Sequence, residues 1–179
     1  MELNEAAALR QSIRNYKPDV EITKEQIEEL IAFADLAPSW KNFQASRYHA
    51  VIDPEMVEKV RTECLPDFNQ KNTENASAFI VATYIKNYAG FDKEGNPSNH
   101  LGNGCGAYDL GLQNAYLILK ASDLGLDTLL MGIADFEKIK ELLEIPENEE
   151  AVVIISVGVR EEAKQRPPRK DVSKLVKII

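Results

Sequence analysis

The stretch that organises this chain lies near its start and reads Leu9-Arg10-Gln11-Ser12-Ile13-Arg14-Asn15-Tyr16. Arg10 and Arg14 are four residues apart, so in a helix or a turn they would share one face, with Ser12 close by. Two guanidinium groups and a hydroxyl group form a donor-rich cluster that suits a phosphate or another planar anion. A solvated helix face explains two arginines as well, so the rest of the chain has to decide between these interpretations.

The composition is typical of a globular protein of one domain. The chain has 179 residues, of which 44% are hydrophobic and 28% are charged, and this allows a sizeable core. We expect no membrane partner, because no run of eighteen apolar residues occurs. We also expect no signal peptide, because the first residues are acidic and lack an apolar region.

The net charge limits the classes of binding partner, and the cysteines indicate the redox compartment. The net charge of -8 argues against general nucleic-acid binding. Residues 160–179 carry seven Lys/Arg and three Asp/Glu. This basic tail is a solvated end, wraps onto a partner subunit, or supplies a cation to a bound anion. Cys64 and Cys105 lie far apart without metal-ligand spacing, which favours free thiols in a reducing compartment such as the cytoplasm.

The hydrophobic pattern predicts an α+β sandwich with one sheet in a single domain, residues 1–179. Apolar periodicity and capping residues predict helices over 1–16, from Thr23 to Pro38, over 53–65, over 107–124 and from Asp135 to Pro146. Runs of β-branched and aromatic residues predict strands over 48–52, 78–85 and 151–157, a short extended segment over 126–132, and a candidate last strand over 172–179.

Two irregular segments are candidates for binding. The polar loop Ala37–Gln44 holds the only tryptophan, and such a loop is either functional or a simple connector. The segment Asn87–Gly106 is about twenty residues long, which is unusual in a compact domain and typical of a lid or a binding loop. Its glycines, Gly102, Gly104 and Gly106, do not form a dinucleotide-binding fingerprint.

Side chains for acid–base or covalent catalysis are few. His49 lies in a predicted strand and is best interpreted as structural, and nothing supports an activated pair between His100 and Cys105. No metal-ligand spacing, phosphate-binding loop or serine nucleophile motif is present. We therefore expect no catalytic side chain, and if the protein is an enzyme a cofactor carries its chemistry.

Four stretches resemble the nitroreductase family of FMN-dependent oxidoreductases, in the family's order and at its spacings. They are Arg10-Gln11-Ser12-Ile13-Arg14-Asn15-Tyr16, Ala37-Pro38-Ser39-Trp40-Lys41-Asn42-Phe43-Gln44, Gly125-Leu126-Asp127-Thr128-Leu129-Leu130-Met131-Gly132, and Ile145-Pro146-Glu147 leading into the apolar strand and Gly158. The resemblance implies a three-layer sandwich with a central, mainly antiparallel sheet flanked by helices. It also implies an intertwined homodimer with FMN at the subunit interface and the tail of residues 160–179 packed on the partner.

The activity implied by the resemblance is that of an FMN-dependent NAD(P)H oxidoreductase. NADH or NADPH would be the co-substrate, and nitroaromatic, quinone or similar electron-poor compounds would be reduced by ping-pong hydride transfer through flavin N5. Two alternatives stay open. One is a flavin-binding or redox-sensing protein without rapid turnover. The other is a relative with different flavin chemistry, such as flavin breakdown or dehalogenation.

The resemblance also implies which residues bind FMN. Arg10 and Ser12, with Gln11 between them, match the phosphate site, which Arg169 would complete. Arg14 matches the basic residue near the pyrimidine edge, where a positive charge stabilises the anionic reduced flavin.

The remaining positions that the resemblance implies come from loops. The partner's loop would supply Pro38, Ser39, Trp40 and Asn42; Asn69 would contact the ring edge; and the backbone at Met131 and Gly132 would face N5. Either Lys71 or Asn72 matches the family's lysine. The sequence departs from the family at Ala45-Ser46 and at Asp127-Thr128.

Overall fold

The chain forms one antiparallel sheet between two layers of helices. The computed structural model describes residues 1–162 and 165–179. The strands are β1 (Ser46–Val51), β2 (Ala78–Ile85), β3 (Asp127–Met131) and β4 (Glu149–Gly158). They lie in the order β1-β2-β4-β3, and each neighbouring pair is antiparallel. The predicted α+β sandwich with a single central sheet is therefore confirmed.

Six α-helices are described, and most begin where the sequence places a cap. They are α1 (Leu3–Leu9), α2 (Lys24–Ala34), α3 (Pro54–Lys59), α4 (Asp67–Asn72), α5 (Gly104–Asp123) and α6 (Phe136–Leu142). Thr23 and Gln26 form the predicted capping box, and Asp53 and Asp135 cap α3 and α6 through their side chains. A π-helical turn, Val60–Cys64, continues α3, and short 3-10 helices cover Trp40–Asn42 and Val172–Lys174. No helix in the described part of the chain is long and apolar enough to cross a membrane.

Strand β2 explains why the sheet is buried on both faces. Phe79 and Val81 pack into the cluster that contains α3, whereas Ile80 and Ala82 pack into the cluster that contains α2 and α5. Successive side chains of a strand point to opposite faces, so both sets must be apolar. The continuous apolar runs of β2 and β4 follow from this arrangement.

Residues 10–17 are not helical, so the predicted helix over 1–16 is wrong beyond Leu9. The N–H of Ile13 donates to the Thr128 carbonyl at 3.0 Å, and the N–H of Lys17 donates to the Val159 carbonyl at 2.8 Å. Ile13 and Tyr16 are buried against the sheet. Pairing with the sheet satisfies this backbone and buries two large side chains, which outweighs helix propensity. Arg10 and Arg14 consequently lie on an extended segment rather than on a helix face.

The candidate strand over residues 172–179 is also wrong in this chain. Val172–Lys174 form a 3-10 helix. Five apolar side chains of the tail are at least half exposed: Val172, Leu175, Val176, Ile178 and Ile179. A strand needs a neighbouring edge for its backbone hydrogen bonds, and no strand of the described chain pairs with this segment.

Candidate functional site

Three arginines converge at the end of α1. Arg166 donates from Nη1 to the carbonyls of Ala7 and Ala8, at 3.1 and 3.4 Å. Burial, and then the charges of Arg166 and Arg169, lower the pKa of Arg10. Within residues 1–162 and 165–179, none of the three forms an ion pair. Like charges held together without an acidic partner favour a bound anion, so this arginine cluster (Arg10, Arg166 and Arg169) fits a phosphate group.

A partly buried ion pair between Arg160 and Asp127 lies next to the arginine cluster. Arg160 donates from its backbone N–H and from Nε to Asp127, at 2.7 and 2.9 Å, and its Nη2 also contacts this carboxylate. The same Nη2 donates to the Leu9 carbonyl at 3.2 Å. The hydrogen bonds to Asp127 raise the pKa of Arg160. The pair ties the start of the tail to β3 and to the end of α1. In the sequence, Asp127 stands out only as a departure from the family pattern, although a carboxylate in an apolar strand itself indicates a buried partner.

A cavity of about 400 Å³ opens beside Arg14. Its lining brings together the extended segment and the end of α4: Arg14, Asn15, Tyr16, Lys71, Asn72, Glu74, Asn75 and Glu161. Arg14 donates to the Ser12 carbonyl at 3.3 Å. Both Lys71 and Asn72 line the cavity, so the choice between them stays open.

The end of β3 forms an exposed turn. Met131 is the last strand residue and its side chain is buried, whereas Gly132 is exposed and a Cβ there would meet nothing within 4 Å. Asn69 is buried on α4 and donates from Nδ2 to the Ile133 carbonyl at 3.0 Å. Asn69 thus fixes the turn through the Ile133 carbonyl, and the backbone of Gly132 stays accessible to solvent.

These residues follow one line along the sheet edge. The arginine cluster lies at the Asp127 end of β3, Ser12 forms a bridge with Thr128, and Gly132 follows the other end. Gln11 is half-buried between Arg10 and Ser12. One chain therefore brings most of the predicted FMN residues to one edge of the sheet.

The tryptophan loop, residues 37–44, has a strained backbone and is anchored to α5, away from the arginine cluster. Lys41, Asn42 and Gln44 all have positive φ, between 47° and 59°, a conformation that is uncommon for non-glycine residues and is often found at binding sites. The Trp40 N–H donates to Asp109 Oδ2 on α5 at 2.8 Å. Ser39 Oγ accepts from the Gln44 N–H at 3.1 Å. These hydrogen bonds fix the backbone of the loop and tie it to α5.

The long helix α5 separates the two sets of residues. Its first turns hold Trp40 through Asp109, and its last turn holds α1 through Ser122, whose Oγ donates to the Ala6 carbonyl at 3.3 Å. At 1.5 Å per residue these two anchors are about 20 Å apart. Pro38, Ser39, Trp40 and Asn42 are therefore not joined to the arginine cluster within one chain.

The histidines and cysteines show no catalytic arrangement. His49 Nε2 lies 2.7 Å from Glu149, which also accepts from Thr83 at 2.5 Å, in keeping with the predicted structural role. Cys64 and Cys105 are buried and free, and burial raises the pKa of Cys64 to about 11. In the described residues Cys105 contacts Asn99 rather than His100, and no group of three metal-binding side chains occurs there.

Comparison with known proteins shows the family of this chain. The model of the nitroreductase family matches residues 7–159, from α1 to the end of the sheet. This chain belongs to the nitroreductase family. The matched range contains the extended segment, the tryptophan loop and the turn after β3, and it leaves out Arg166 and Arg169.

Individual nitroreductase relatives cover the chain to different extents. An Archaeoglobus fulgidus protein with the provisional name NADH dehydrogenase/NAD(P)H nitroreductase is 32% identical over 164 residues, which are 87% of this chain and 83% of that protein. The Bacillus subtilis protein YdgI, provisionally named an NAD(P)H nitroreductase, is 39% identical over 85 residues, which are 48% of this chain and 40% of the relative. A provisionally named nitroreductase of Exiguobacterium sibiricum, solved in complex with FMN, superposes with a TM-score of 0.87 at 24% identity, covering 100% of this chain and 98% of that one. This last likeness shows that the fold is shared.

Proposed function

We propose that this nitroreductase is an FMN-dependent NAD(P)H oxidoreductase that reduces nitroaromatic, quinone or similar electron-poor acceptors in ping-pong turnover. The observation that carries the proposal is the arginine cluster, in which Arg166 and Arg169 from the tail stand beside Arg10 of the family's motif and together favour a bound anion. The FMN complex of the Exiguobacterium protein and the NAD(P)H in the relatives' names support the same conclusion.

The FMN phosphate would lie against Arg10, Ser12 and Arg169. To these we add Arg166, which the sequence did not single out. Its Nε is buried without a hydrogen-bond partner in the described residues, and its Nη1 is fixed by the last turn of α1. Guanidinium groups held in place in this way lose little freedom when they bind a phosphate.

Along β3 the remaining residues would orient the flavin. Arg14 and either Lys71 or Asn72 would stand at the pyrimidine edge, where positive charge favours the reduced, anionic ring. Asn69 would hold the turn at Met131 and Gly132 so that its backbone faces the ring. Bound FMN would supply the redox chemistry by accepting hydride at N5 from NADH or NADPH and passing it to the acceptor. No side chain is required as acid or base.

A homodimer would complete the site. The two sets of residues are anchored at points about 20 Å apart along α5, so a partner subunit would bring Pro38, Ser39, Trp40 and Asn42 to the cofactor of the first subunit. The basic tail over residues 160–179 would pack on that partner, which accounts for its exposed apolar side chains, among them Ile178 and Ile179. We place the protein in the cytoplasm, because its two buried thiols are free and suit a reducing compartment.

Steady-state kinetics test the proposed activity. Initial rates of NADPH oxidation with p-benzoquinone, measured at several fixed quinone concentrations, should give parallel double-reciprocal lines, because the first product leaves before the acceptor binds. Intersecting lines would contradict ping-pong turnover. A protein that retains flavin but consumes no NADPH would be a flavin-binding protein without turnover.

A further inference from the structure

A cavity of about 380 Å³ lies between the tryptophan loop and the first turns of α5. We call it the α5 pocket. Trp40, Leu101, Tyr108 and Leu112 give it apolar and aromatic walls, and Asp109 supplies its one charged side chain. Tyr108 and Leu101 are 65% and 49% exposed, so the rim of the pocket presents apolar surface to solvent. Such a pocket suits a small flat ligand.

Asp109 is the unusual part of this lining. Its side chain is 4% exposed, and its Oδ2 accepts the Trp40 N–H at 2.8 Å. In residues 1–162 and 165–179, its other oxygen has no hydrogen-bond partner and no cation pairs with it. Burial raises the pKa of Asp109, whereas the Trp40 N–H opposes this shift. Asp109 lines the pocket, so its free oxygen can accept a charge-assisted hydrogen bond from a positive group that enters the pocket.

The surroundings show which charge the ligand should carry. The Lys41 ammonium lies 5.8 Å from the centroid of the Trp40 ring, but Lys41 does not line the pocket. Lys41 is exposed, and it does not pair with Asp109. The rings of Trp40 and Tyr108 can add cation–π attraction for a positive group. The pocket therefore offers one negative charge and aromatic surface.

We propose that Asp109 makes the α5 pocket the acceptor-binding site of this nitroreductase and sets its charge preference, favouring flat aromatic acceptors with a cationic substituent over anionic ones. This rests on the proposed function, since Pro38 and Ser39 line the pocket and belong to the loop proposed to lie against the flavin. Asp109 is then a specificity-determining residue, while the redox chemistry stays with the cofactor.

The only tryptophan of the chain lies in this pocket, so its fluorescence reports binding directly. The purified full-length protein is titrated with three nitroaromatic probes of similar shape: 4-nitrobenzylamine (cationic), 4-nitrobenzyl alcohol (neutral) and 4-nitrobenzoate (anionic). We expect the amine to bind about tenfold more tightly than the alcohol, the size of a charged hydrogen bond, and the benzoate to bind most weakly. Probe reduction with NADPH should show the same order in KM, with kcat nearly constant.

Three variants make the test specific. Asp109→Asn keeps an oxygen for the Trp40 N–H but removes the charge, so the amine and the alcohol should bind equally. Leu101→Lys on the exposed rim should reverse the preference. Glu137→Gln changes the net charge equally on α6, where Glu137 is exposed, and should leave the preference unchanged. Equal binding of all three probes to the wild type, a preference that survives in Asp109→Asn, or no saturable quenching would overturn the proposal.

The two proposals fail in different ways. If the protein binds no FMN, no NADPH is consumed, yet the fluorescence titrations still report the charge preference of the pocket. If NADPH turnover is normal while the probes bind without preference, the oxidoreductase stands and the role of Asp109 is wrong.

Discussion

In the part of the chain that the structure describes, three guanidinium groups lie together without an acidic partner, and their mutual repulsion favours a bound anion. Arg10 is partly buried, and its pKa is lowered both by burial and by the charges of Arg166 and Arg169. A doubly negative phosphate would relieve this repulsion and accept several charge-assisted hydrogen bonds. Cofactor affinity should therefore depend on single arginines.

Replacing Arg10 by alanine should weaken FMN binding. We expect the Kd of FMN to rise about thirtyfold, or ~2 kcal/mol, the contribution of a hydrogen bond to a charged group. The measurement is titration of the flavin-free protein, followed by flavin fluorescence. Lys59→Ala on α3, where Lys59 is exposed, removes the same charge and should change nothing. An unaltered Kd in Arg10→Ala would contradict the phosphate role.

The Asp127–Arg160 pair should matter for stability. Asp127→Asn leaves the guanidinium of Arg160 without its counter-charge in a largely buried setting, so we expect a loss of about 3 kcal/mol of unfolding free energy. Urea denaturation measures this loss. Glu58→Gln, which breaks a pair with Arg61 whose carboxylate is 58% exposed, should lower stability by less than about 1 kcal/mol. Equal effects of the two substitutions would show that burial of the first pair is unimportant.

Among the elements, the end of β4 and the extended segment must approach closely. A Cβ at Gly158 would lie 2.6 Å from Cδ1 of Tyr16. The ring of Tyr16 is 1% exposed, and its hydroxyl is 2.8 Å from Ser156 Oγ, so it has no room to move. Only glycine allows the segment that carries Arg10 and Arg14 to lie against the sheet.

Gly158→Ala should consequently destabilise the protein by about 2 kcal/mol through overpacking. Gly111→Ala is the matched control, because Gly111 is a helical residue of α5 whose Cβ would meet nothing within 4 Å. There alanine should raise stability by about 0.5 to 1 kcal/mol, as helix propensity increases. Thermal unfolding of both variants compares them, and equal shifts in the two would refute the close approach.

Elements with local signals could be predicted from the sequence, and elements fixed by distant partners could not. Thr23 and Asp135 start their helices through hydrogen bonds within four residues, so the sequence shows them. Residues 10–17 are extended because Ser12 pairs with Thr128, and no local pattern reports that contact. For the same reason Arg166 was missed, since its place beside Arg10 depends on the distant end of α1.

In the candidate site, the family motif predicted more of the site residues than the chemistry of single residues did. The motif placed Arg10, Ser12 and Gly132, and the structure sets them along β3. Sequence reasoning could not show that Asp109 anchors Trp40, because the two residues are 69 positions apart. Nor could it show that the two sets of predicted FMN residues lie apart in one chain.

For the whole molecule, the tail should serve both the cofactor and the dimer. Truncation before residue 165 removes Arg166, Arg169 and the exposed apolar end, so it should weaken FMN binding and shift the protein towards a monomer. Light scattering and FMN titration measure the two effects. The double variant Arg166→Ala/Arg169→Ala keeps the apolar residues and should lose FMN affinity while remaining a dimer. A truncated chain that stays dimeric would contradict the proposed packing of the tail.

The most direct test of the central claim is the visible absorption spectrum of the purified protein before and after NADPH is added without oxygen. We expect flavin bands that bleach on NADPH, which would demonstrate a bound flavin and its reduction by the nucleotide in one experiment. Absence of flavin bands, even after incubation with FMN, would mean that the arginine cluster binds a different anion and that the proposed oxidoreductase is wrong.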